Sequence, residues 1–111
     1  STVKVLKKQI LKVISKKSNF NNIIIAYEPI WSIGSGSIPS SSELKKNILI
    51  LKNFIKKKFR IKSNPKFLYG GSVDKNTIKH FKSIKELDGF LIGGASKSSN
   101  NFIDIIKNFY K

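Results

Sequence analysis

The stretch that most constrains this chain is Ile23 to Pro39, reading IIIAYEPIWSIGSGSIP. Ile23 to Tyr27 form a continuous apolar run that is too short for a helix and ends in turn chemistry. Such a run predicts an interior strand of a parallel sheet, buried on both faces. Glu28 stands where that strand emerges, and Pro29 fixes the next backbone angle. Gly34 and Gly36 then open the following loop to conformations closed to residues with a Cβ. A carboxylate is thus carried on a rigid strand end beside a loop able to move.

The flanking sequence supplies the rest of an alternating pattern. Val3, Leu6, Ile10, Val13 and Ile14 recur at helical spacing with Lys4, Lys7, Lys8 and Lys12 between them, which predicts an amphipathic helix lying on a sheet. Ser18 to Asn22 reads as a turn into the strand. After the loop, Ser40 and Glu43 make a capping box, each side chain able to satisfy a backbone donor. The helix they open buries Leu44, Ile48, Leu51 and Ile55 and turns Lys45, Lys52 and Lys56 to water. It ends near Phe59, ahead of Ser63-Asn64-Pro65. Phe67 to Tyr69 predict a second strand, ended by Gly70-Gly71-Ser72, with a helix from Asp74 to Phe81. Gly89 to Ile92 predict a third, ended by Gly93-Gly94-Ala95-Ser96, and a last helix buries Phe102, Ile105, Ile106 and Phe109. A helix followed by three rounds of strand and helix is the grammar of an α/β fold with a parallel sheet.

All three glycine-rich segments follow strands, so a closed parallel barrel brings them to one rim. The Gly34 loop lacks both the Gly-Lys-Ser/Thr ending of a nucleotide phosphate loop and the third glycine of a dinucleotide fingerprint. Instead Gly34, Ser72 and Gly94 each offer a backbone N–H from a different loop, a set that suits an anion.

Three strings, AYEPIWSIGSG, LYGGSV (Leu68 to Val73) and DGFLIGGAS (Asp88 to Ser96), resemble in order those of the triosephosphate isomerase family. The resemblance implies a parallel (β/α)8 TIM barrel of about 250 residues. Residues 1–111 would then be the C-terminal portion of one such domain, its last three β/α units and a preceding helix. It also implies interconversion of dihydroxyacetone phosphate and glyceraldehyde 3-phosphate through an enediolate, in glycolysis and gluconeogenesis, without cofactor or metal. Glu28 is then the base, and residues 29–39 form the lid: Pro29, Ile30 and Trp31 lead it, and Ile33, Gly34 and Gly36 lie at its tip. Tyr69 latches the closed lid, and Gly34, Ser72, Gly93 and Gly94 hold the substrate phosphate. A homodimer in the cytoplasm is implied for the complete protein. Ser32, Ser35 and the trailing Ser37-Ile38-Pro39 depart from the family's common residues. The family's electrophilic histidine and substrate-binding Asn and Lys belong to earlier strands. His80, in a helix after the second strand, does not replace that histidine, so this chain by itself is expected to be inactive.

A formal charge of +16 raises nucleic acid as a partner. Arg60 is the lone arginine among the 22 basic residues, and fork-like recognition of bases and phosphates needs arginine. The lysines fall on polar helix faces and are read as solvated surface with weak anion attraction, not as a nucleic-acid site. The absence of cysteine excludes disulfides and Cys-based metal sites. No apolar run reaches the roughly 18 residues of a membrane span, so no membrane partner is expected. The remaining alternatives are another phosphate-binding β/α-barrel enzyme and, further off, a basic nucleic-acid-binding module.

Overall fold

A computed structural model describes residues 2–14, 22–29 and 38–111 of the chain. Three parallel strands set the frame: β1 (Ile24–Tyr27), β2 (Lys66–Tyr69) and β3 (Gly89–Phe90), in the spatial order β1-β2-β3. The register pairs Tyr27 with Tyr69 and Leu68 with Gly89. Helices α1 (Thr2–Val13), α2 (Ser41–Phe59), α3 (Thr77–Phe81) and α4 (Ser99–Phe109) alternate with the strands, and a 3-10 turn at Gly94–Lys97 precedes α4. Parallel neighbours cannot be joined by a tight hairpin, so each crossover carries a helix.

α2 shows how local signals set these elements. Ser40, in extended backbone, accepts the Glu43 N–H at 3.2 Å, which is the half of the expected capping box that the structure shows. Leu44, Ile48, Leu51 and Ile55 follow at helical spacing, and all are buried. The helix stops at Arg60, whose left-handed backbone (φ 55°) returns its N–H to Lys56 O. Below α2 lie Phe67 and Tyr69 of β2, Ile78 and Phe81 of α3, and Ile105 of α4, which together make the core. The Tyr69 and Phe81 rings pack with centroids 4.4 Å apart. Truncating Phe67, 1% exposed, to alanine would cost about 3–5 kcal/mol.

Strand periodicity divides the sheet. Odd-numbered Tyr27, Phe67 and Tyr69 turn into the helical layer, whereas Ile24, Ala26, Glu28 and Leu91 are exposed. Among the described residues β1 is an outer strand, so one of its faces and one edge are uncovered. Ile24 is 61% exposed, because β1 pairs on one side only among the described residues.

Other boundaries and faces also differ from expectation. The helix predicted from Asp74 begins at Thr77, because residues 74–77 form a turn. There Asp74 Oδ1 accepts the N–H groups of Asn76 and Thr77, and Asp74 N–H donates to Thr77 Oγ1, each at 2.8 Å. The ladder of β3 ends at Phe90, although Leu91 N–H still donates to Tyr69 O at 2.9 Å. Val13 is exposed at the end of α1. Only Ile105 of the expected α4 stripe is buried; Phe102, Ile106 and Phe109 remain exposed, since β3 is the outer strand on that side among the described residues. Lys52 is buried, not on a watered face, because its ammonium reaches Asp88 Oδ2 at 3.1 Å.

Candidate active site

The C-terminal ends of three adjacent parallel strands lie on one rim, and each strand leads there into a segment singled out by sequence. β1 ends at Tyr27 and presents Glu28, β2 leads into Gly70-Gly71-Ser72, and β3 runs toward Gly93-Gly94. Residues distant in sequence, such as Glu28 and Gly70, thus become neighbours because the strands are parallel and adjacent.

Glu28 is placed by its neighbour across the register. Gly70 N–H donates to Tyr27 O at 2.9 Å, which carries the pairing one step past the ladder and brings Gly70 beside Glu28. The approach is close enough that any larger residue would displace the Glu28 side chain. A Cβ on Gly70 would fall 2.6 Å from Glu28 Cγ and 3.0 Å from its Oε1. The Gly-Gly pair, legible in sequence as a turn and a source of N–H groups, thus also makes room, at its first glycine, for the carboxylate's own stem. Glu28 is exposed, and among the described residues it has no hydrogen bond or ion pair. Its carboxylate is available to a ligand.

Beneath it the side chains are fixed. Pro29 is buried, and Tyr27 and Tyr69 are buried in the helical layer. Burial pushes the Tyr27 phenol above its usual range, with the Glu43 charge and the neighbouring Tyr69 phenol adding to the effect, so the ring stays neutral. A neutral, packed platform holds the strand end that carries Glu28.

The remaining predicted residues divide by place. Ser72 is half-buried, and its carbonyl lies 3.4 Å from Thr77 Oγ1. Gly93 and Gly94 are exposed; a Cβ at either would meet nothing within 4 Å among the described residues. Gly93 O accepts from Ser96 N at 3.0 Å and from Ser96 Oγ at 2.6 Å, which closes the 3-10 turn that follows that glycine. Its N–H groups begin the turn, where partial positive charge gathers. Ile30, Trp31, Ile33, Gly34 and Gly36 lie outside the described residues, as do Ser32, Ser35 and Ser37.

Two contacts near the helices were not visible in sequence. Asp88 Oδ2 accepts both Lys52 Nζ and, at 2.8 Å, the Phe67 N–H, which clips β2 to β3 at the end of the sheet opposite Glu28. Ser41 Oγ lies 3.0 Å from Nε2 of half-buried His80, joining the start of α2 to α3. Both pair residues more than 30 positions apart. A cleft of about 360 Å³ between α1 and β1, lined by Leu6, Ile10, Ile14, Ile24 and Phe67 with Gln9 and Tyr27 among them, is mostly apolar. No group of three or more His, Cys, Asp or Glu that could hold a metal occurs among the described residues. None of their helices is long and apolar enough to cross a membrane.

Comparison with known proteins identifies the family and the fold. The profile of the family described as triosephosphate isomerase matches residues 1–109. The chain is 42% identical over 103 residues to the triosephosphate isomerase of Mycoplasma mobile, covering 93% of this chain and 40% of that protein. It is 36% identical over 110 residues to that of Zygosaccharomyces bailii, covering 97% and 44%. The crystal structure of triosephosphate isomerase from Bartonella henselae superposes with a TM-score of 0.80 at 28% identity, over 98% of this chain and 43% of that one. The chain spans about 40% of the length of the relatives it matches. Its three parallel strands and their helices are part of a (β/α)8 barrel, and the chain belongs to the triosephosphate isomerase family.

Proposed function

We propose that this chain, completed to a closed barrel, interconverts dihydroxyacetone phosphate and glyceraldehyde 3-phosphate, with Glu28 as the base. The observation that carries the reading is the placement of the Glu28 stem against Gly70, on the same rim as Ser72, Gly93 and Gly94. A carboxylate held there, free of other partners among the described residues, can take the proton alpha to a carbonyl and return it to the adjacent carbon. Between the two transfers the substrate is an enediolate, and no electrons leave it, so no redox cofactor is needed.

The phosphate end of the substrate is assigned to backbone N–H groups of Gly34, Ser72, Gly93 and Gly94. Neutral amides neutralise a dianion without placing a cation beside the base. Residues 29–39 act as the lid, with Pro29, Ile30 and Trp31 leading, Ile33 and Gly36 at the tip, and Tyr69 as latch. Lid closure in this family is the standard example of such gating, so the role is borrowed from the family and not predicted. The carbonyl's electrophile, the cytoplasmic setting and a homodimer belong to the completed protein.

Glu28→Gln in that protein tests the reading. Turnover falls by about 10²–10⁴ while a phosphorylated substrate analogue binds as before. Full turnover by the variant removes Glu28 from the chemistry. The unaltered chain alone is expected to show no isomerase activity, and activity near that of a complete relative would overturn that part.

A further inference from the structure

The segment that joins β2 to α3 carries Ser72, whose backbone N–H is one of the proposed phosphate donors, and it is tied at both ends. Upstream, Gly70 N–H donates to Tyr27 O at 2.9 Å. Gly70 and Gly71 then precede Ser72, and two glycines in a row resist rotation of their peptide planes very little. The upstream tie alone therefore does not fix the direction of the Ser72 N–H. Downstream, Val73 is buried and Asp74 N–H donates to Thr77 Oγ1 at 2.8 Å. Thr77 N–H donates in return to Asp74 Oδ1 at 2.8 Å, the reciprocal pairing of a capping box, and Ile78 N–H donates to Asp74 O at 3.0 Å. The Thr77 hydroxyl proton faces the same turn, with the Ser72 carbonyl at 3.4 Å, the Asp74 carbonyl at 3.5 Å and the Asp74 carboxyl alongside. Those carbonyl contacts are long, so the firm bond is the one that Oγ1 accepts.

We infer, resting on the assignment of the substrate phosphate to the Ser72 N–H, that Thr77 is a positioning residue for substrate binding. Its hydroxyl oxygen holds Asp74 N–H, fixes the course of residues 72–74, and so sets the direction in which the Ser72 N–H meets the phosphate. Thr77 is suited to this because it is anchored from behind: the next residue, Ile78, and Phe81 of the same helix are buried in the core. The half-buried threonine thus passes the rigidity of the core to a loop that two glycines would otherwise leave loose. A hydrogen bond weakens steeply as its donor turns away from the acceptor, so a loosened loop holds the phosphate less tightly. Glu28 stands on β1 and does not move with Thr77. The hydroxyl therefore acts on binding and not on the proton transfer.

The test is steady-state kinetics of the protein completed to a closed barrel, with inorganic phosphate as the competing ligand. Thr77→Val keeps the shape of the side chain and removes the hydroxyl. KM for the phosphorylated substrate and the inhibition constant for inorganic phosphate rise together by about three- to tenfold, the worth of one neutral hydrogen bond. Over the same change kcat stays within about twofold, because the phosphate is held alike before and during the proton transfer. Thr77→Ala removes the hydroxyl without a branched side chain in the helix and shows the same rise, which guards against a packing effect of valine. Thr77→Ser restores the hydroxyl and returns both constants to within about twofold of the parent. A lower urea midpoint in Thr77→Val with both constants unchanged would show a structural contact only and overturn the proposal. So would a failure of serine to rescue. A parent that inorganic phosphate does not inhibit would remove the phosphate cradle and the role of Thr77 with it. Equal inhibition of the parent and Thr77→Val would remove the role of Thr77 alone and leave the reading of Ser72 standing.

Discussion

Asp88 and Glu28 stand at opposite ends of the same three strands and differ in nearly every physical respect. Asp88 is tied to a buried ammonium and to the Phe67 N–H, and it joins β2 to β3 where they begin. Glu28 is exposed, lies over a glycine, and has no such partner among the described residues. A carboxylate whose acceptor capacity is given over to the fold is a fastener. One left open on a packed strand end is ready for a ligand's proton. With Glu28 as the proposed base, the division of labour seen across β/α barrels, with stability at the N-terminal face and chemistry at the C-terminal face, would hold within three strands.

Changes at the two ends should separate function from stability, and Glu28→Gln has the largest expected effect. In the completed protein it costs about 10²–10⁴ in turnover and leaves the urea midpoint where it was. At the other end, Asp88→Asn leaves Lys52 buried without its counter-charge. The expected loss is about 2 kcal/mol, less than the roughly 3–5 kcal/mol of a fully buried pair because the Asp88 side chain is 37% exposed. Lys52→Met in the same chain restores most of that loss, since the unpaired charge is then gone. If Asp88→Asn reduced turnover with stability unchanged, the contrast between the two ends would fail.

Gly70→Ala probes the contact that places the proposed base, Glu28. The new Cβ would press on Glu28 Cγ, and the exposed carboxylate would swing aside in preference to unfolding the strand. A displaced base costs about tenfold or more in kcat, with KM little changed and stability within about 1 kcal/mol. An unchanged kcat would mean that the close approach has no bearing on the chemistry.

Glu28, the strand-end glycines and the order of helices and strands were legible because each depends on neighbours close in the chain. Apolar runs name strands, Ser40 with Glu43 opens a helix, and Gly70-Gly71 ends a strand. The contacts that position and brace the rim were not legible. Lys52 reads as a polar-face residue at helical spacing, and only the arrival of Asp88, 36 residues later, draws it inward. Gly70 reads as a turn residue until the register places it against Glu28. β1 reads as an interior strand, and it stands at an edge among the described residues of a chain that spans about 40% of its relatives' length. The exposed Phe102, Ile106 and Phe109 of α4 carry the same lesson, since periodicity marks an apolar stripe without naming what covers it.

Asp74 gives the smallest effect and the finest test, because it shares the rim with Glu28 yet is bound like Asp88. The Thr77 N–H, together with that of Asn76 and the Thr77 hydroxyl, holds its carboxyl below the usual carboxylate range. A folded-state value below the unfolded one means that protons prefer the unfolded chain. The stabilisation is therefore complete at neutral pH and is lost as pH falls through the ordinary carboxylate range, below about pH 4. Asp74→Asn keeps an acceptor for the two N–H groups, so it should cost little at pH 7 while flattening the fall in urea midpoint between about pH 5 and pH 3. Asp74→Ala removes the acceptor and should lower the midpoint at both pH values. Were the acid slope the same in the Asn variant and the parent, the turn at Asp74 would hold its geometry without help from the charge. Exposure alone, and not the absence of backbone donors, would then be what sets Glu28 apart on this rim.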